Sequence, residues 1–141
     1  MNPVSEDVKD KLVAAGVGVY AATTGWGIFT VVEPDKPATT ITIYNTPGRP
    51  PGYYADRSLP PTHYSGFQTR VRGTTDATTW AKLEEVINTL SQIGHFDIVT
   101  GAETMHYANI LMTTEPIPLE KDEERKRFIW VANFIAFREQ K

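Results

Sequence analysis

The stretch Arg127–Glu139, RFIWVANFIAFRE, limits the possible folds more than any other part of the chain. It is rich in β-branched and aromatic residues and reads as a strand. Successive side chains of a strand point to opposite faces, and here both faces are apolar. Phe128, Trp130 and Phe134 go one way, and Ile129, Val131 and Ile135 go the other. Such a strand belongs inside a sheet that is covered front and back. The chain has 141 residues, enough for one ordinary domain and too short for two. A partner subunit is therefore the expected cover for one of the two faces.

The remaining segments supply the rest of that sheet and one layer of helices. Val4, Val8, Leu12 and Ala15 recur at helical spacing, with Ser5 as the expected N-cap, Glu6 and Asp7 at the positive end of the dipole, and Gly16 and Gly18 as the stop. GIFTVVE (27–33) and TTITIYN (39–45) read as strands on either side of a PDKP turn, with Ile41 and Ile43 on one face and Thr40, Thr42 and Tyr44 on the other. YSGFQTRVRG (64–73) alternates cleanly. Phe67, Thr69 and Val71 share one face, while Gln68, Arg70 and Arg72 share a face that is wet or meets a partner. Residues 75–94 form the clearest helix, capped by Thr75 or Asp76 and closed by Gly94, with Trp80, Leu83, Val86, Ile87 and Leu90 as its apolar side. HFDIVTG (95–101) and HYANILMTTEP (106–116) are further strands, and the charged run EKDEERKR (120–127) is an exposed hairpin tip. The order α-β-β-β-α-β-β-β predicts an α+β fold: a single mixed, mostly antiparallel sheet with helices packed on one face.

Between the second and third strands lies TPGRPPGYYADRSLPP (46–61), a loop longer than compact domains usually carry. It is open to three readings: a phosphate cradle, a ligand for a Pro-binding groove, or an arm reaching a neighbouring subunit. Gly48 is followed by RPPGYY with no Lys-Ser/Thr, so the loop lacks the makings of a phosphate-binding motif. Prolines inside a domain stiffen a turn more often than they recruit a partner.

Few classes of chemistry fit the rest. The chain has no cysteine, which excludes disulfides, thiolate metal sites and a Cys nucleophile. Its formal charge of −3 argues against a nucleic-acid binder that relies on bulk positive charge. His63, His95 and His106 stand at no metal-ligand spacing. The four acids of residues 120–127 are interleaved with four bases, as on a self-neutralising surface. No apolar run reaches the ~20 residues of a membrane span, and the first residues lack a signal-peptide core, so a soluble cytoplasmic product is expected. No catalytic residue, metal or cofactor is expected; a small hydrolase using Asp97, His95 or His106 is the distant alternative.

In order and spacing, IFTVVEPDKPATTITIYNTPGRPP, then TRVRG, a helix, and PIPLEKDEERKRFIWVANF resemble the minor capsid or tail terminator proteins of long-tailed bacteriophages. The likeness spans roughly Leu12 to Phe137 and rests on Pro34, Pro37, Tyr44, Asn45, Thr46, Gly48, Pro51, Arg70, Arg72, Gly73, Asp122, Glu123, Arg125, Asn133 and Phe134. Asn45 stands where the family often has Asp, and Pro47 where it often has Gly. The resemblance implies a non-enzymatic virion subunit, one domain with an arm at about 46–62, assembled in the host cytoplasm. It implies a homo-hexameric ring at the head-proximal end of the tail tube, where it stops polymerisation and meets the head-completion protein. DNA passes through such a ring without specific binding, and no membrane is involved. A head-tail joining protein of the same particle is the alternative reading. Tyr44, Asn45, Gly48, Arg49, Tyr53, Tyr54, Arg57, Arg70, Arg72, Asp122 and Arg125 are the expected subunit or tube contacts, with both strand arginines bridging to a neighbour's carboxylates.

Overall fold

The computed structural model describes residues 1–49, 62–91, 96–122, 124 and 126–141, with the backbone alone at 120–122. The elements are α1 (Val4–Ala14), β1 (Val19–Tyr20), β2 (Gly27–Thr30), β3 (Thr40–Arg49), β4 (Thr62–Gly73), α2 (Asp76–Ser91), β5 (Phe96–Thr100), β6 (Glu103–Met112), β7 (Ile117–Asp122) and β8 (Arg127–Gln140). They form one sheet in the order β1-β2-β3-β4-β8-β6-β5. The β1–β2 and β2–β3 pairs are parallel and the remaining pairs antiparallel. This is the expected α+β architecture, with two strands more than the sequence showed. β1 is only two residues long, and β7 lies beside β8 where β6 ends. β6 and β7 act as one interrupted strand along that edge, and Thr113 N–H keeps the pairing across the break by donating to Asn133 O at 2.9 Å.

Both helices cover the same sheet face. Val4, Val8 and Leu12 of α1 and Leu83, Val86 and Leu90 of α2 meet Ile28, Ile41, Ile43, Phe67, Val71, Ala132, Phe134 and Ala136 in one core. Phe67 and Phe134 stack at 5.0 Å between centroids, and Trp80 and Trp130 meet at 4.7 Å at the margin. Trp130 Nε1–H donates to Asp76 Oδ1 at 2.9 Å, tying the first turn of α2 to the sheet. Thr75 caps α2 as expected, its hydroxyl accepting from Thr78 N–H at 3.2 Å. Gly94 and His95 lie outside the described residues. Gly16, at φ +74°, ends α1 in the left-handed conformation that glycine adopts without strain.

The start of α1 differs from expectation. The N-cap position is Pro3, which offers no side-chain cap, and Ser5 sits inside the helix, buried, with its hydroxyl unpartnered. The missing acceptor comes from across the fold: Ser5 N–H donates to Asn45 Oδ1 on β3 at 3.1 Å.

The chain covers part of its second sheet face itself. Because β2 and β3 are parallel, residues 31–39 must return along the strand before β3 begins. The return segment crosses the face opposite the helices, over Thr40 and Thr42, which are fully buried. The expectation that a partner must cover this face is therefore corrected over β3, and the part of the face left open lies farther along the sheet. There Leu111, Ile117 and Leu119 are 41–45% exposed beside the half-buried Ile135 and Phe137.

Candidate assembly surface

The corner after Asn45 is built by close backbone contact. The β3–β4 register shifts between Thr46 and Arg49. A Cβ on Gly48 would lie 2.0 Å from Tyr64 O, and one on Gly66 would lie 2.6 Å from Pro47 O. Only glycine permits that approach at either position. Arg49 places its guanidinium 5.7 Å from the centre of the Tyr64 ring, and Tyr64 meets Phe137 edge-on at 5.1 Å. Gly48, Asn45 and Tyr64 line an open depression of about 300 Å³ together with Pro3 and Arg138. The structure thus brings Asn45, Gly48 and Arg49 together at the corner. Tyr53, Tyr54, Arg57 and Arg125 lie outside the described residues, and of Asp122 only the backbone is described, pairing with Arg127.

Arg70 and Arg72 share a face, but they do not share a role. Arg72 is 5% exposed. Its Nη2 donates to the carbonyls of Pro34 at 2.7 Å, Pro37 at 2.8 Å and Asp35 at 3.2 Å, and its Nε donates to Ala38 O at 3.4 Å. Glu33 Oε2 stands 3.8 Å from Nη1. Burial lowers the Arg72 pKa and Glu33 opposes that shift. The expected outward bridge from Arg72 is therefore corrected: its guanidinium fastens the return segment 31–39 to the sheet. Arg70 is the arginine left partly open, 31% exposed at the side chain, with Nε 3.2 Å from Glu33 Oε2 and off the hydrogen-bonding angle. Tyr44 shares this cluster. Its hydroxyl pKa is raised by burial first and by Glu33 second.

One buried group was not foreseen. Asp7, Tyr107 and Arg138 are 2%, 1% and 5% exposed and meet beneath α1. Tyr107 O–H donates to Asp7 Oδ2 at 2.5 Å, and Arg138 Nη1 donates to the same oxygen at 3.2 Å and to Asn2 O at 2.9 Å. Arg138 Nε donates to Ser65 Oγ at 2.9 Å. Burial raises the Asp7 pKa, with the Tyr107 and Arg138 contacts opposing it, and burial raises the Tyr107 pKa as well. Asp7 lies on the flank of the Val4–Val8 stripe, which was the one available signal; it reads equally well as a dipole partner.

Of the residues named for a hydrolase, Asp97 and His106 are cross-strand partners with 2.5 Å between Oδ1 and Nδ1, and Lys141 Nζ reaches Asp97 Oδ2 at 2.9 Å. His106 and then Lys141 lower the Asp97 pKa. The group stands at the sheet rim and ties β5 to the end of the chain. Among the described residues, no three His, Asp or Glu side chains gather closely enough to hold a metal, and no helix is long and apolar enough to cross a membrane.

Internal braces, a glycine-built corner and a half-open apolar sheet face define a structural subunit shaped for assembly. The comparison with known families agrees. A family model described as bacteriophage tail terminator protein matches residues 11–139, and the chain belongs to that family. Its place is accordingly the virion tail, in contact with other tail or head proteins. No curated protein matches the chain.

Proposed function

We propose that this tail terminator closes into a homo-hexameric ring on the head-proximal end of the tail tube. The ring stops tube polymerisation and presents its outer side to the head-completion protein, with DNA passing through the lumen. The chain acts as one domain, assembled in the host cytoplasm, and the segment at 46–62 serves as its docking arm. Tyr44, Asn45, Gly48, Arg49 and Arg70 belong to the contact surface, along with Tyr53, Tyr54, Arg57, Asp122 and Arg125. Arg72 holds the return segment behind them. The observation that most supports this reading is the exposed apolar run Leu111, Ile117 and Leu119 on the sheet face away from the helices, a placement suited to contact with other subunits.

The test is assembly in the absence of the protein. Tails made without it should have uncontrolled lengths under the electron microscope, and adding the purified protein should restore one length. Labelled protein should be found on headless tails. Normal tail lengths without it, or label on tailless heads alone, would overturn the proposal.

A further inference from the structure

We infer, resting on the ring reading above, that neighbouring copies join sheet edge to sheet edge: the β1–β2 rim of one copy abuts the β6–β7 rim of the next. Among the described residues, eight of the eleven exposed large apolar side chains stand at these two rims, the others being Met1, Val13 and Val99. Val19, Tyr20, Val31 and Val32 mark the first, each 54–69% exposed. Leu111, Met112, Ile117 and Leu119 mark the second, each 40–45% exposed.

The two rims match in register. Val19 pairs with Gly27, Gly27 with Thr40, Thr40 with Arg72, Arg72 with Ile129, and Ile129 with Leu119. Val19 and Leu119 are therefore the two ends of one row across the sheet. From that row the first rim continues through Val31, whose N–H bonds Ile43 O at 2.9 Å, to Val32. The second continues in the same direction through Ile117 to Leu111, opposite Val131 and Ile135. β1 runs parallel to β3 and β8, and β7 runs against β8, so abutting β1 on β7 continues an antiparallel arrangement.

Val31 adds an independent mark. Its φ is +68°, a conformation that a β-branched residue rarely holds, and both it and the adjacent Val32 stand in solvent. The area is also suitable. The eight rim residues offer on the order of 700 Å², against roughly 900 Å² of non-polar surface in a standard interface of about 1,600 Å². The rims differ from one another, so the contact is heterologous, as a closed ring of more than two copies requires.

The absence of cysteine makes a direct test clean. Val19→Cys and Leu119→Cys, the two ends of one row, are made singly and together, and each is checked for unchanged circular dichroism and melting temperature. They are then treated with a bismaleimide in the presence of tail tubes. The double variant should give a ladder that ends at the closed ring. The two single variants mixed should give one cross-linked dimer and nothing larger, and neither alone should cross-link. Rings of the unmodified protein by native mass spectrometry, with no ladder from the double variant, would overturn the edge contact and leave the ring standing. Efficient cross-linking of either single variant to itself would also overturn it. Failure of the unmodified protein to self-associate, with or without tubes, would overturn both.

Discussion

Arg72→Ala should be among the most damaging single changes on the sheet face away from the helices. Arg72 makes four hydrogen bonds to the return segment 31–39 from its Nη2 and Nε, two of them at 2.7 and 2.8 Å. Hydrogen bonds from a charged group contribute about 1.5–3 kcal/mol each, so the two short ones alone account for about 3–6. Truncation also leaves the half-buried Glu33, 13% exposed at the side chain, with Arg70 as its one remaining arginine, and breaking a buried pair costs up to about 3–5 kcal/mol. A loss near 4 kcal/mol follows from either route. Arg70→Ala removes one ion pair from a side chain 31% exposed and should cost no more than about 1 kcal/mol. In urea, with a slope near 2 kcal/mol/M for a domain of this size, Arg72→Ala should lower the midpoint by about 2 M and Arg70→Ala by less than about 0.5 M. Arg72→Lys keeps the charge but not the fork that reaches several carbonyls, and should recover less than half of the loss. Equal midpoints for Arg72→Ala and Arg70→Ala would refute the bracing role and return Arg72 to the outward surface.

Leu83→Ala should cost about 2–5 kcal/mol in the same assay, with exposed Glu84→Ala as the silent control. Lys82 is no such control, because its Nζ donates to Val17 O at 3.0 Å and meets Glu85 at 2.6 Å; Lys82→Ala should lower stability by about 1 kcal/mol. Asp7 binds its proton more tightly folded than unfolded, so its contribution is full below the ordinary carboxylate value and is lost as pH rises through the higher folded value. Asp7→Asn should remove that slope from melting curves recorded between about pH 4 and 7; an unchanged slope would mean that the carboxylate is not desolvated. Gly48→Ala forces the Tyr64 carbonyl aside and should lower stability by about 1–3 kcal/mol in thermal melts.

What the sequence made legible was parity. Alternation along β4 put Phe67 on the apolar face. Alternation along β8 grouped Phe134 with Phe128 and Trp130 without saying which of its two apolar faces the helices take. Helical spacing gave Leu83, Val86 and Leu90 as the packing side of α2, and the structure brings them into one core with Phe67 and Phe134. Parity says which face a side chain takes and nothing about what crosses that face. The parallel pairing of β2 with β3 has no signature in either strand, yet it sends residues 31–39 across Arg72 and makes a buried brace of an arginine that reads as exposed. The Asn45 cap on α1 and the Asp7–Tyr107–Arg138 group join residues 40 to 131 positions apart, so no local spacing could show them. The same return segment carries Val31 and Val32 at its start and is anchored by Arg72 farther along. Loss of that anchor frees the rim as well as the fold. Arg72→Ala protein that is still folded at low temperature should therefore assemble worse than its remaining stability implies, whereas Leu83→Ala protein of equal stability, with its rim intact, should assemble normally.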